Sequence, residues 1–157
     1  MDASVHIATV EALRERIQCL EGGARHQPAV LPFGIKAIDE RLPDGGLALG
    51  ALHEVAGGGN GPVDGAAAAL FAAGIAARTR GQVLWCLTRQ DLFAPALAQA
   101  GLGADRVIYI EAGDEKAVLA CFEEGLRYRK LGAVVAEVSH LSMTASRRLQ
   151  LAAEAQA

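Results

Sequence analysis

Apolar residues near the start of the chain recur every three or four positions. This helical spacing is carried by Ile7, Val10, Leu13, Ile17 and Leu20. The pair Gly22-Gly23 follows as a stop signal, so we predict an amphipathic helix over residues 1–23. Residues 24–32 contain two prolines and are predicted to form an extended linker. The apolar stripe of the helix would cover either the chain's own sheet or a neighbouring copy, and the pattern does not choose between them.

From residue 33 onward, short apolar runs alternate with segments of helical spacing. The predicted strands are 51–55, 83–88, 107–110 and 133–138. The predicted helices are 35–41, 66–80, 91–100, 114–130 and 144–157, and Asp91 and Asp114 are predicted to cap the third and the fourth of them. This alternation, with its short connections, predicts an α/β fold over 33–157 that has a mostly parallel sheet with helices on both faces. Because no strand follows the last helix, we expect the sheet to be incomplete, either in a shortened polypeptide or through a degenerate C-terminal half.

Composition excludes several classes of protein. Apolar residues make up 52% of the chain and charged residues 21%, which excludes a disordered chain. The formal net charge of −3 argues against a strongly basic nucleic-acid binder. The alanine-rich run 65–77 has 13 residues, whereas a membrane span needs about 20. We therefore predict that this run is a buried helix and that the protein has no membrane partner.

The thiols and the N-terminus bear on the compartment. Cys19, Cys86 and Cys121 are odd in number and far apart, which favours reduced thiols over disulfides or a zinc site. The four histidines have no mutual spacing suited to a metal, so no metal site is predicted. The first residues carry acids and lack the apolar run of a secretory signal. We expect a cytoplasmic protein.

A glycine-rich loop lies between the first predicted strand and the helix that follows it. Strand, glycine loop and helix form the setting of the phosphate-binding P-loop, whose pattern is GxxxxGK[ST]. Ala66 and Ala67 stand where the lysine and the hydroxyl are needed, and Asp64 adds negative charge where phosphates would lie. We predict a vestigial nucleotide-binding loop without catalytic residues or cofactor, and weak nucleotide binding stays open. Its residues are Gly57, Gly58, Gly59, Asn60, Gly61, Gly65, Ala66 and Ala67.

The run Val134-Val135-Ala136 is apolar and ends in Glu137, as a Walker B strand ends in a carboxylate. Such a carboxylate holds Mg²⁺ in a working ATPase. Without the lysine and the hydroxyl, we favour a structural carboxylate that caps or pairs with a nearby arginine.

Basic residues form three small clusters near predicted helix ends. They are Arg78 with Arg80, Arg127 with Arg129, and Arg147 with Arg148. Each cluster is a candidate contact for DNA or for a protein partner. The alternative is that these side chains are the solvated faces of helices.

Three segments before and around the loop resemble RecA-type recombinases. They are Phe33-Gly34-Ile35-Lys36-Ala37-Ile38-Asp39, then Asp44-Gly45-Gly46-Leu47-Ala48-Leu49-Gly50, and then His53-Glu54-Val55. The resemblance extends over about residues 30 to 145 and implies a RecA-like core. The catalytic glutamate of that family would fall near Arg89 or Gln90, and neither is an acid.

A RecA-like domain with a degenerate ATPase site resembles the ImuA family. The resemblance implies a non-catalytic adaptor of an SOS-induced, error-prone translesion DNA synthesis complex, acting through protein contacts. It implies as partners an ImuB-type polymerase-like protein and an error-prone replicative-type DNA polymerase. RecA and a second copy of the chain are further candidate partners, and DNA binding stays open.

Two other functions remain as alternatives. One is a RecA/RadA-type DNA-dependent ATPase with an atypical P-loop, which Mg²⁺-dependent ATP turnover would distinguish. The other is an SOS cell-division inhibitor, because such inhibitors resemble a degenerate RecA-like domain.

Overall fold

The computed structural model describes residues 29–59 and 61–155. The chain divides into two compact units, one ending at Leu49 and the other beginning at Gly50. The predicted helix over 1–23, most of the predicted linker and Asn60 lie outside the described residues.

The described part of the first unit is a short antiparallel pair with a helical turn between its strands. Strand β1 (Val30–Leu31) pairs with β2 (Leu47–Ala48), and helix α1 (Lys36–Asp39) and a 3₁₀ turn (Pro43–Gly45) connect them. The last residues of the predicted linker therefore include strand β1. Their extended backbone pairs with that of β2.

The second unit alternates helices and strands. In chain order its elements are α2 (Pro62–Ala77), β3 (Gln82–Leu87), α3 (Ala94–Gln99), a 3₁₀ turn (Ala104–Arg106), β4 (Val107–Glu111), α4 (Glu115–Leu126), β5 (Leu131–Ala136) and α5 (Met143–Glu154). The sheet has the order β4-β3-β5, and both pairings are parallel. The predicted α/β class, with a parallel sheet flanked by helices, is confirmed.

The central strand β3 explains why its sequence is a continuous apolar run. Val83, Trp85 and Leu87 belong to one core cluster, which includes residues of α2 and α3. Leu84 and Cys86 belong to a second cluster, together with Val118 of α4. Successive side chains of a strand point to opposite faces, so helices on both faces require apolar residues at every position.

The prediction of a strand over 51–55 is wrong. Residues 52–57 have no regular structure, and His53, Glu54 and Val55 are exposed. A strand needs a neighbouring backbone for its hydrogen bonds. Among the described strands, β3 is paired on both sides by β4 and β5, and the segment pairs with neither of those two edge strands.

Some helix boundaries also differ from prediction. Helix α2 begins at Pro62 rather than at residue 66, because proline suits the first helical position. Asp91 does not cap α3, which begins after Phe93 with proline in its first turn. Asp114 does cap α4 as predicted, accepting a hydrogen bond from the Ala117 N–H at 2.8 Å. Helix α4 ends at Leu126 rather than at residue 130, and a turn leads into β5.

The helices of the described residues differ from membrane-spanning helices. None of them combines the length and the apolar character that a crossing requires.

Candidate functional site

The glycine loop lies beside the ends of the sheet strands. A helix that enters a parallel strand through a short turn runs opposite to that strand, so the start of α2 lies at the carboxyl end of β3. This is where α/β proteins bind ligands. Gly57, Gly58, Gly59 and Gly61 precede α2 and are all exposed, whereas Asn60 lies outside the described residues.

The side chain of Asp64 occupies this loop. The Gly61 N–H donates a hydrogen bond to Asp64 Oδ2 at 3.3 Å. A Cβ on Gly57 would lie 2.5 Å from Asp64 Cβ, and one on Gly59 would lie 3.0 Å from Asp64 Oδ2. The glycines therefore give room to the chain's own carboxylate. An anion at the same amides would meet a negative charge.

The positions of the missing lysine and hydroxyl are exposed in α2. Ala66 and Ala67 lie in the second turn, because the helix begins four residues before Ala66. Gly65 lies inside the helix rather than in the loop, and a Cβ there would meet nothing within 4 Å. The described loop thus lacks both the cation and the backbone path of a P-loop.

We call the segments 88–92, 111–116 and 137–140, which contain the last residue of β4 and the residues that follow the three parallel strands, the carboxyl edge. They contain five acids and two cations. The acids are Asp91, Glu111, Asp114, Glu115 and Glu137, and the cations are Arg89 and Lys116. Arg89 lies 3.6 Å from Asp91, with both side chains exposed. This excess of negative charge disfavours a triphosphate.

Glu137 is engaged by the core. The Trp85 indole Nε1–H donates a hydrogen bond to Glu137 Oε1 at 2.8 Å. Burial raises the pKa of Glu137, the bond from Trp85 lowers it, and the nearby charge of Asp91 raises it again. The prediction of an arginine partner for this carboxylate is wrong, because the group that holds it is the Trp85 indole.

A second carboxylate fixes the segment after β5. The backbone N–H of Ser139 donates to Glu115 Oε1 at 2.7 Å, and the Ser139 hydroxyl donates to the same oxygen at 2.5 Å. These bonds are the main cause that lowers the pKa of Glu115. They tie the start of α4 to the residues that follow β5.

The motif that resembles RecA-type proteins has structural roles in the first unit. The backbone N–H groups of Phe33 and Gly34 donate to the Asp39 carboxylate at 2.7 and 2.9 Å. Gly34 has a φ of 77°, which favours glycine. A Cβ on Gly46 would lie 2.7 Å from the Leu31 carbonyl carbon, so the β1–β2 pair requires glycine there. These residues shape a turn.

Arg127 and Arg148, two of the predicted contact residues, bind one acid. Glu123 Oε1 lies 2.8 Å from Arg127 Nη2, and Glu123 Oε2 lies 2.8 Å from Arg148 Nε. Arg127 also lies 3.2 Å from Glu124. Arg147 donates to Gln150 on the surface of α5. The Arg148 side chain therefore joins α5 to α4, whereas Arg127 pairs with acids at the end of its own helix α4.

Arg78, Arg80 and Arg129 lie at the other end of the sheet from the glycine loop. They belong to the turns that precede the strands, 78–81, 103–106 and 127–130, which we call the amino edge. These turns contain one acid, Asp105, and six cations. The cations are Arg78, Arg80, Arg106, Arg127, Arg129 and Lys130. The parallel sheet therefore separates charge, with acids at the carboxyl edge and cations at the amino edge.

Sequence reasoning missed two of these contacts. The apolar run around Trp85 presents it only as a core residue, although a buried indole N–H needs an acceptor and Glu137 follows a neighbouring strand. Arg106 was not singled out, yet its guanidinium donates to the carbonyls of Ala77, Thr79 and Gly81 at 2.7 to 3.0 Å. In the sequence, the only sign of this role is that Arg106 is a basic residue directly before a strand.

The acids and thiols of the described residues do not form a metal site or a disulfide. Within residues 29–59 and 61–155, no three His, Cys, Asp or Glu residues are placed to hold a metal ion. Cys86 and Cys121 are not joined in a disulfide. Burial, and then the nearby Cys121, raise the pKa of the Cys86 thiol to about 11, so it stays protonated at neutral pH.

Comparisons with known proteins bear on the family. No family model matches the chain. Protein ImuA from Caulobacter vibrioides, in strains NA1000 / CB15N and ATCC 19089 / CIP 103742 / CB 15, is 43% identical over 139 residues. The match covers 86% of this chain and 57% of each relative, so the chain spans little more than half their length.

A solved structure, SulA from Pseudomonas aeruginosa, is 32% identical with a TM-score of 0.41, over 48% of this chain and 63% of that one. The identity to Protein ImuA extends over most of the present chain and agrees with the resemblance carried by the turn motifs and the degenerate loop. The chain belongs to the ImuA family.

Proposed function

We propose that this protein is a non-catalytic adaptor of an SOS-induced, error-prone translesion DNA synthesis complex. Its direct partner is an ImuB-type polymerase-like protein, which links it to an error-prone replicative-type DNA polymerase. RecA and a second copy of the chain are further partners in this proposal, and the protein works in the cytoplasm without a cofactor. Family membership supports the proposal, and so does the state of the glycine loop.

One observation carries the non-catalytic part of the proposal. The carboxylate of Asp64 lies against the glycines that would otherwise surround a phosphate. Catalysis of phosphoryl transfer depends on positive charge around the phosphates. A loop filled by an acid, with alanines at positions 66 and 67, supports a function based on contact rather than on turnover.

Helix α2 offers a surface for such a contact. Val63 is 80% exposed, and Leu70 and Phe71 are 39% and 49% exposed. These residues are seven and eight positions apart, so they lie on one face of the helix. After Asp64 the helix contains no charged residue, although its other face already packs on the sheet. A helix that is apolar all round is normally covered on more than one side.

The test measures binding of the whole chain to the purified ImuB-type protein by isothermal titration calorimetry. Val63→Glu and Leu70→Glu should each weaken binding by about tenfold or more, because a charge would be buried in the contact. Met143→Glu, on the exposed start of α5, is the matched control and should bind as the unaltered chain does. Equal affinity of all variants would exclude this surface, and failure of the unaltered chain to bind would exclude the direct partner.

The non-catalytic part has its own test. The rate of ATP hydrolysis is measured with MgATP and the protein alone, and again after addition of the ImuB-type protein and single-stranded DNA. Neither rate should exceed the rate without protein. Turnover that is lost in Glu137→Ala would favour the ATPase alternative.

A further inference from the structure

The sequence presents the basic residues before β3 and before β5 as separate clusters, and the fold joins them. Gly81 has a φ of 90°, and a Cβ there would lie 3.0 Å from the Lys130 carbonyl oxygen. A Cβ on Gly132 would collide with the Arg80 carbonyl oxygen. The turns 78–81 and 127–130 are therefore in backbone contact. Strands β3 and β5 are adjacent, which makes this contact a consequence of the sheet order.

Two cations of these turns have structural roles that the geometry defines. Arg106 lies beneath the turn 78–81, where it donates to carbonyl oxygens, and Arg127 is paired with Glu123 and Glu124. The two joined turns carry five exposed cations. Besides the ion-paired Arg127 they are Arg78, Arg80, Arg129 and Lys130.

An aromatic side chain lies among these charges. Tyr128 is 59% exposed and directly precedes Arg129 and Lys130. Proteins that bind single-stranded nucleic acid without sequence preference combine a positive groove with exposed aromatic rings, on which bases stack. A phosphate backbone alone would require only the cations, whereas the exposed ring adds a surface that fits a base.

We propose that the joined turns 78–81 and 127–130 bind single-stranded DNA, with Arg78, Arg80, Arg129 and Lys130 on the phosphates and Tyr128 stacked on a base. The acidic carboxyl edge keeps the strand away from the opposite end of the sheet. This separation lets a chain of net charge −3 bind a polyanion, because the favourable charge is concentrated on one edge.

The test is fluorescence anisotropy of the full chain with a labelled oligothymidine of about 30 nucleotides, which exceeds the ~4–16 nucleotides of a typical single-strand site. The affinity should fall as salt rises, with a slope of about −3 in log K against log salt for four phosphate contacts. Arg80→Glu and Lys130→Glu should each weaken binding by about tenfold at low salt.

Matched variants separate this surface from general charge effects. Lys116→Glu makes the same charge change at the carboxyl edge and should leave the affinity within about twofold. Tyr128→Phe keeps the ring and should bind normally, whereas Tyr128→Ala should lose about fivefold or more. Circular dichroism of each variant checks that it is folded.

Three outcomes would overturn the proposal. The first is that the unaltered chain shows no binding at low salt. The second is an equal loss of affinity in Lys116→Glu and Lys130→Glu. The third is that poly-glutamate binds as tightly as the oligothymidine while Tyr128→Ala has no effect, which would assign the surface to an acidic protein segment instead.

The proposal does not depend on the adaptor function. Val63→Glu should leave DNA binding unchanged, since α2's exposed face is not part of the amino edge. Arg80→Glu should leave binding to the ImuB-type protein unchanged. Each proposal can therefore fail in its own binding experiment while the other proposal still holds.

Discussion

The indole of Trp85 and the carboxylate of Glu137 are joined by a hydrogen bond of 2.8 Å between Nε1 and Oε1. Trp85 is fully buried in the centre of β3, and Glu137 directly follows β5. The Glu137 N–H also donates to the Cys86 carbonyl at 3.0 Å, which extends the sheet ladder by one residue. The carboxylate that a Walker B site would use for Mg²⁺ is thus directed toward the core.

Removal of the Trp85 donor should destabilise the fold. Trp85→Phe leaves a half-buried carboxylate without its partner and also leaves a gap in the core cluster. We expect the free energy of unfolding to fall by about 2–4 kcal/mol, as measured by urea denaturation followed by circular dichroism. Glu137→Gln is the control, because its amide oxygen still accepts the indole bond, and it should change stability by less than about 1 kcal/mol. Similar losses in both variants would contradict this account.

The raised pKa of Glu137 should make the protein less stable as pH rises through that pKa. Burial raises the pKa of Glu137 above its ordinary value of 4.5, so the folded state binds this proton more tightly than the unfolded state does. The contribution of Glu137 to the free energy of unfolding should therefore decrease as pH rises from 4.5 through the raised pKa. Subtraction of the Glu137→Gln profile from that of the unaltered chain isolates the effect. A Glu137 contribution to the free energy of unfolding that increases as pH rises from 4.5 would contradict this prediction.

Glu115 should show the opposite pH dependence. Hydrogen bonds from Ser139 lower the pKa of Glu115 below 4.5. Its stabilising contribution is present above pH 4.5 and should be lost as pH falls through the lowered pKa. Glu115→Gln, compared with the unaltered chain in acid denaturation, should remove that loss. Carboxyl resonances followed by NMR titration provide a direct check, and a Glu115 pKa above 4.5 would exclude the assignment.

Among the cations of residues 29–59 and 61–155, Arg106 should contribute most to stability. It donates four hydrogen bonds to three carbonyls in and after the last turn of α2. Arg106→Met keeps the apolar stem and should lower the free energy of unfolding by about 2–3 kcal/mol in urea denaturation. Arg147→Met removes an exposed side chain with one bond to Gln150 and should cost less than about 0.5 kcal/mol. Equal effects would show that Arg106 has no special role.

Replacement of the missing P-loop residues should not restore nucleotide binding. In Ala66→Lys/Ala67→Thr the new side chains would project from the second turn of α2, and Asp64 would still repel phosphate. Isothermal titration calorimetry with MgATP should therefore show no binding in the micromolar range. Circular dichroism verifies that the double variant is folded. Micromolar affinity would mean that the two alanines alone account for the inactive loop.

Much of the fold could be predicted from local patterns of residues in the sequence. The run Val83 to Leu87 is apolar at every position, and this identified a strand covered on both faces. Asp114 was identified as a helix cap, because capping depends on residues three positions apart. The motif around Asp39 and the alanines at positions 66 and 67 indicated the ImuA family without any structure. These features depend on neighbours within a few residues, so the sequence contains them directly.

The partners of distant side chains were decided by the order of the strands. β3 lies between β4 and β5, which places Trp85 beside Glu137 and the turn of Arg80 against that of Lys130. Residues 51–55 pair with none of the described strands, although their composition suits a strand. Side chains about 50 positions apart meet only when the sheet has formed, because their contact depends on which edges pair. The sequence determined the elements and the degenerate loop, and the tertiary structure decided which charges face one another.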